Sequence, residues 1–155
     1  MRPSQTLVVG IGSSHGDDRV GWEIADAVLE RVDGRAEVRR ARKPADLLDW
    51  LEGIASLEVC DAVAGEIGPG CVRSWVWPAA EIAGVPFAGS HDLSLVATLA
   101  LAEQLGRLPA HVRIWGVGVH RVQAWSPMSP AVAAAVDRAV EQICAALDVA
   151  RAPQP

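Results

Sequence analysis

Short apolar runs alternate with apolar stripes of helical spacing along almost the whole chain, and this alternation narrows the fold more than any other feature. Leu7-Val8-Val9-Gly10-Ile11-Gly12 reads as a buried strand that ends in a glycine turn. After a polar loop, Val20, Ile24, Val28 and Val32 recur every four residues and form one face of a helix, with Gly34 as its stop. Residues 36–42 carry Arg39, Arg40 and Arg42 among apolar positions, a charge load that suits an edge strand. Pro44 opens a short helix with Leu47, Leu48 and Leu51 inward. Leu57 to Val63 is a third strand and Cys71 to Trp77 a fourth, ended by Pro78. A loop with Gly84, Pro86 and Gly89 leads into an apolar helix from Leu93 to Leu105. Val112 to Val119 is the fifth strand, and Ser129-Pro130 opens a last helix that buries Val132, Val136, Val140, Ile143 and Leu147, with Ser129 as N-cap.

Strands alternating with helices specify an α/β domain: an open, mostly parallel sheet of five strands with helices on both faces. One connection breaks the rule. Residues 64–70 between the third and fourth strands are too few for a helical crossover, which takes about a dozen residues, so the fourth strand should run antiparallel. The 155 residues form a single domain, 1–155, with no repeat or linker and a tail, 151–155, expected to fray.

Half of the residues are hydrophobic, enough for a real core, and no apolar run reaches the ~18 residues of a membrane helix. The run from Leu7 to Ile11 is too short for a signal-peptide core, so the expected compartment is the cytoplasm. Net charge is −5, and Lys43 is the only lysine. Such a chain is a poor nucleic-acid binder by bulk electrostatics. Cys60, Cys71 and Cys144 are odd in number and form no CxxC, which fits buried free thiols better than disulfides or a thiolate zinc site.

In an open α/β sheet, ligands bind beyond the carboxyl ends of the strands. Asp17 and Asp18 lie in the loop after the first strand, Asp61 ends the third, and His91 precedes the helix after the fourth. The first and third strands are usually neighbours at the switch point, so Asp18 and Asp61 can converge with His91 above them. Two carboxylates and an imidazole form a divalent transition-metal site with open positions, suited to nickel, zinc or cadmium. Plainer roles remain open: Asp17 as a cap on the helix beginning near Arg19, Asp61 as a turn acid, His91 as a loop histidine. Gly10-Ile11-Gly12 begins like a dinucleotide fingerprint but lacks the third glycine, and an acid pair stands where the pyrophosphate would sit. A phosphoacceptor receiver domain would need a lysine after the fifth strand. No GxSxG occurs. Cys60 precedes Asp61 in one strand, so the two face opposite sides and Cys60 packs under a helix. His15, His111 and His120 read as solvated histidines, His15 being near enough to Asp17 to act as a secondary ligand.

These motifs together resemble the maturation endopeptidases of nickel–iron hydrogenases. The likeness runs from about Leu7 to Leu147. Gly16-Asp17-Asp18-Arg19-Val20-Gly21 is similar to the family's acidic loop, Cys60-Asp61-Ala62-Val63 to its second acidic motif, and Ser90-His91-Asp92-Leu93 to its histidine motif. Trp115-Gly116-Val117-Gly118 and Ser126-Pro127-Met128-Ser129-Pro130 resemble its last strand and last helix start. The resemblance implies a protease that trims a C-terminal extension from the hydrogenase large subunit after nickel insertion. It places Asp18, Asp61 and His91 as the three metal-contacting residues and leaves Asp17 for support or proton transfer. The nickel is implied to come with the substrate, with zinc or cadmium able to take its place. The implied partner is the large-subunit precursor, met by a monomer without nucleic acid or membrane. Ser13, Arg19 and Arg42-Lys43-Pro44 depart from the family's usual asparagine, glycine, and glycine- or glutamine-rich motif. The alternative from another class is a non-catalytic nucleotide- or metal-binding module on a Rossmann-like fold.

Overall fold

The computed structural model describes residues 5–88, 93–120 and 126–151. Its strands are β1 (Thr6–Ile11), β2 (Glu37–Ala41), β3 (Ser56–Ala64), β4 (Val72–Val76) and β5 (His111–Val119). Its α-helices are α1 (Val20–Val32), α2 (Leu95–Gln104) and α3 (Pro130–Arg151). The strands form one sheet in the order β2-β1-β3-β5-β4. β1 pairs in parallel with β2 and β3, β3 pairs in parallel with β5, and β4 alone runs antiparallel, against β5. The short connection after β3 therefore reverses the chain as its length requires. It does not form a hairpin, because β5 inserts between β3 and β4.

Each face of the sheet carries its own core. On one face α1 and α3 pack together, and Ile24, Val28, Val140 and Ile143 close over Val8, Cys60, Ala62 and Val117. On the other, Leu95 and Leu99 of α2, with Leu47 and Leu51, cover Val9, Val59 and Ile114. β3 lies at the centre and is buried along nearly its whole length, as expected for a strand covered on both sides. Alternation along β3 sends Cys60 to the α1/α3 face and Asp61 to the α2 face.

β2 is an edge strand, as its arginines indicate. Arg39 pairs with Glu37 at 2.8 Å and lies over the Trp50 ring; Arg40 pairs with Asp26 and lies over Trp22. The Pro44 segment forms a 3-10 helix, Pro44–Asp49, and a further 3-10 helix, Ala80–Gly84, stands where the sequence reads as loop. α2 begins two residues later than its apolar pattern, at Leu95, because the Ser94 hydroxyl accepts the Ala97 N–H at 3.1 Å and so fixes the start. Among the described residues no helix is long and apolar enough to cross a membrane.

Candidate active site

The site begins where β1 and β3 end side by side. Beyond Ile11 the chain turns back on itself: Gly12 N–H donates to Ala41 O at 3.0 Å, Ser13 N–H to Asp18 O at 3.3 Å, and Asp18 N–H to His15 O at 3.1 Å. A 3-10 helix, Gly16–Arg19, then leads directly into α1. The glycines here serve close backbone approach. A Cβ on Gly12 would stand 2.4 Å from the Asp18 carbonyl oxygen, and one on Gly21 would stand 2.0 Å from that of Ile11. The half-fingerprint at residues 10–12 is thus accounted for by packing α1 and the acidic loop against β1, with no pyrophosphate needed.

The two acids of that loop have different surroundings. Asp17 is only 5% exposed. Its carboxylate accepts the Ser129 N–H at 2.7 Å and the Ser129 hydroxyl at 3.2 Å. The Ser129 carbonyl in turn accepts the Ala133 N–H within the first turn of α3. Asp17 therefore ties the acidic loop to the start of α3, rather than capping the helix near Arg19. Asp18 is half-buried, and among the described residues its carboxylate forms no such bond.

Asp61 is 1% exposed. Its Oδ1 accepts the Ala62 N–H at 2.8 Å, whereas its Oδ2 is buried with no hydrogen-bond partner among the described residues. Burial pushes the Asp61 carboxyl well above the usual carboxylate range, the neighbouring Asp18 adds to the rise, and the Ala62 N–H opposes it. Asp18 and Asp61 are thus close enough to sense each other's charge. A buried oxygen lacking a partner is costly. A proton relieves that cost, and so would a cation held between the two carboxylates. The unpartnered Oδ2 and its acidic neighbour fit a hard or borderline divalent ion.

Asp61 lines a cavity of about 200 Å³ together with Pro44, Phe87, Ala88, Ser94 and Leu95. Residues 86–88 run along the end of β3: Ala64 N–H donates to Pro86 O, Ala88 N–H donates to Ala62 O, and Phe87 bridges to Val63. His91 lies outside the described residues, but Ala88 before it and Ser94 after it both line the Asp61 cavity. Among the described residues no group of three or more His, Cys, Asp or Glu side chains is placed to hold a metal ion.

The remaining reactive groups are elsewhere. Cys60 is buried in the α1/α3 core, and burial, then Glu58 and Asp61, push its thiol up, far from a nucleophilic thiolate. His111 sits at the amino end of β5, away from the acids, and His120 follows β5. Two buried polar pairings escape the sequence reading. One is Asp17 with Ser129. The other is Glu58, whose Oε2 accepts the Trp115 Nε1–H at 2.6 Å. Burial raises the Glu58 carboxyl, while the indole N–H and Arg113 hold it down. The Ser129-Pro130 cap signal marks one end of the first pair; nothing local marks the other.

A family model described as hydrogenase maturation protease matches residues 42–146, a span that includes Asp61 and His91 and begins after Asp18. No curated protein matches the sequence. Among solved structures, the hydrogenase maturating endopeptidase HybD of E. coli is 23% identical, with a TM-score of 0.79 over 97% of this chain and 94% of that one. The [NiFe] hydrogenase maturation protease HybD of Thermococcus kodakarensis is 20% identical, with a TM-score of 0.69 over 95% and 99%. The hydrogenase 2 maturation peptidase of a Thaumarchaeota archaeon is 24% identical, with a TM-score of 0.66 over 92% and 97%. At these identities the structures establish a shared fold, and the family model, which spans well over half of the sequence, assigns the chain to the hydrogenase maturation protease family.

Proposed function

We propose that this protein removes a C-terminal extension from the precursor of a nickel–iron hydrogenase large subunit once nickel is in place, and that it reads the metal with Asp18, Asp61 and His91. The observation that carries this reading is the buried Oδ2 of Asp61, unpartnered among the described residues, beside Asp18. Nickel is cargo of the substrate here, and a divalent ion presented at this edge can polarise a peptide carbonyl or activate water.

The residues of the chain supply the condition for cleavage. Without a cation, burial and the Asp18 charge raise the Asp61 carboxyl and so favour its neutral form. Nickel borne by the substrate would offset that repulsion and favour the charged form of both carboxylates, which would hold it. Asp17 holds Asp18 in place through Ser129. A nickel-free precursor brings no cation to the two carboxylates, so the resting enzyme stays inert towards it. We place the reaction in the cytoplasm, carried out by a monomer. The test is incubation of the enzyme with nickel-loaded precursor, followed by mass spectrometry. Loss of the C-terminal extension by wild type but not by Asp61→Asn supports the proposal, and equal cleavage by both removes Asp61 from the reaction.

A further inference from the structure

The carboxyl edge that carries Asp17, Asp18 and Asp61 also carries two adjacent cations, Arg42 and Lys43, just beyond β2. Their surroundings differ from those of the other basic residues nearby. Arg19 is paired with Glu23 at 2.7 Å, Arg39 with Glu37 and Arg40 with Asp26. Arg42 and Lys43 are exposed, and among the described residues neither forms an ion pair.

Their backbone, by contrast, is firmly held. The Ala41 carbonyl accepts both Gly12 N–H at 3.0 Å and the Trp22 indole N–H at 2.9 Å. The Asp46 carboxylate accepts the Arg42 and Lys43 N–H groups at 3.0 and 3.3 Å. Pro44 is buried and lines the Asp61 cavity. Two free cationic side chains are therefore presented from a fixed backbone at the rim of the candidate active site. Fixing the backbone before binding lowers the ordering cost of any contact these side chains make.

An acidic edge of this kind repels acidic peptide unless positive charge is supplied locally. We propose that Arg42 and Lys43 form a specificity subsite that binds a carboxylate of the precursor close to the scissile bond. This rests on the protease reading above. The carboxylate is either an acidic side chain flanking the cut or the terminal carboxylate of the extension; both offer the same planar acceptor to a guanidinium and an ammonium.

The test compares wild type, Arg42→Ala/Lys43→Ala and Arg42→Glu/Lys43→Glu on purified nickel-loaded large-subunit precursor. The Asp46 bonds use backbone donors, so the alanine variant should fold and melt like wild type. It should raise KM about tenfold with kcat little changed, and flatten the salt dependence of kcat/KM. The glutamate variant should be weaker still, and where a flanking acid is the group read, a precursor with lysine in its place should rescue it. Neutralising the flanking acids to Gln and Asn, or amidating the precursor's C-terminus, identifies which carboxylate is read. Unchanged KM and salt dependence in both variants would overturn the subsite. If wild type cleaves no precursor, calorimetric binding still decides: charge-dependent affinity keeps the subsite while the protease reading falls, and charge-independent affinity removes the subsite.

Discussion

Gly21→Ala sets two physical effects against each other. Gly21 lies in the first turn of α1, where helix propensity alone favours alanine by up to ~1 kcal/mol. A Cβ at this position would meet the Ile11 carbonyl oxygen at 2.0 Å and its carbon at 2.9 Å. Ordinary van der Waals contact begins near 3.4 Å, so α1 would have to lift off β1 by about 1.4 Å. The obstacle is backbone in the central part of the sheet and cannot rotate away. Overpacking of this kind costs about 1–3 kcal/mol, and the stiffness of the neighbour puts this case at the upper end. The expected net effect is destabilisation by about 1–2 kcal/mol, measured by urea unfolding. Comparison of Glu30→Ala with Glu30→Gly, at an exposed position of the same helix, measures the propensity contribution separately. Asp18 lies in the 3-10 helix that runs directly into α1, so the displacement should also shift it relative to Asp61, and cleavage should fall even where the variant is fully folded. A Gly21→Ala protein as stable as wild type or more so would refute the close-approach argument.

Asp61 should make stability depend on pH. Its folded pKa lies above its unfolded value, so the folded state binds the extra proton and stability falls as pH rises from about 4 through the folded pKa, by at most about 1.4 kcal/mol per unit. Asp61→Asn keeps an acceptor for the Ala62 N–H and should reduce that slope, with Glu58 leaving a residual slope of the same sign; urea midpoints between pH 4.5 and 8 measure it, and identical slopes would contradict the assignment. Ser129→Ala removes the hydroxyl bond to Asp17 but not the backbone one and should cost about 0.5–1.5 kcal/mol, while Asp17→Ala loses both and should cost more; equal melting temperatures for the three proteins would show that the tether is idle. Cys60→Ser should lose about 1–3 kcal/mol of stability for its buried hydroxyl yet process precursor normally, whereas a folded but inactive variant would restore a thiol mechanism.

Much of the fold was legible because its signals are local. The stripe from Val20 to Val32 became α1 with those bounds, and the short connection after β3 required an antiparallel β4. Alternation along β3 by itself puts Cys60 and Asp61 on opposite faces of the sheet. What could not be read depends on distant pairing. Nothing in residues 56–76 shows that β5 will insert between β3 and β4. Asp17 finds its partner 112 residues away, and the Glu58–Trp115 pair depends on the parallel register of β3 and β5. The 3-10 helix at Ala80–Gly84 has too few residues to show periodicity. Within the site, the neighbouring ends of β1 and β3 followed from the expected strand order, whereas the unpartnered oxygen of Asp61 required the packed structure.

The most direct test of metal-conditional processing is a single mass-spectrometric assay of precursor length. Nickel-loaded and nickel-free large-subunit precursors are each incubated with chelator-treated wild type and with Asp18→Asn. Asp18 sits in a half-buried surface loop, so its amide variant should fold normally. The expected result is shortening of the nickel-loaded precursor by wild type alone, with the nickel-free precursor intact in every reaction. Equal shortening of both precursors by wild type, or normal shortening by Asp18→Asn, would contradict the claim that metal read by the paired carboxylates licenses the cut.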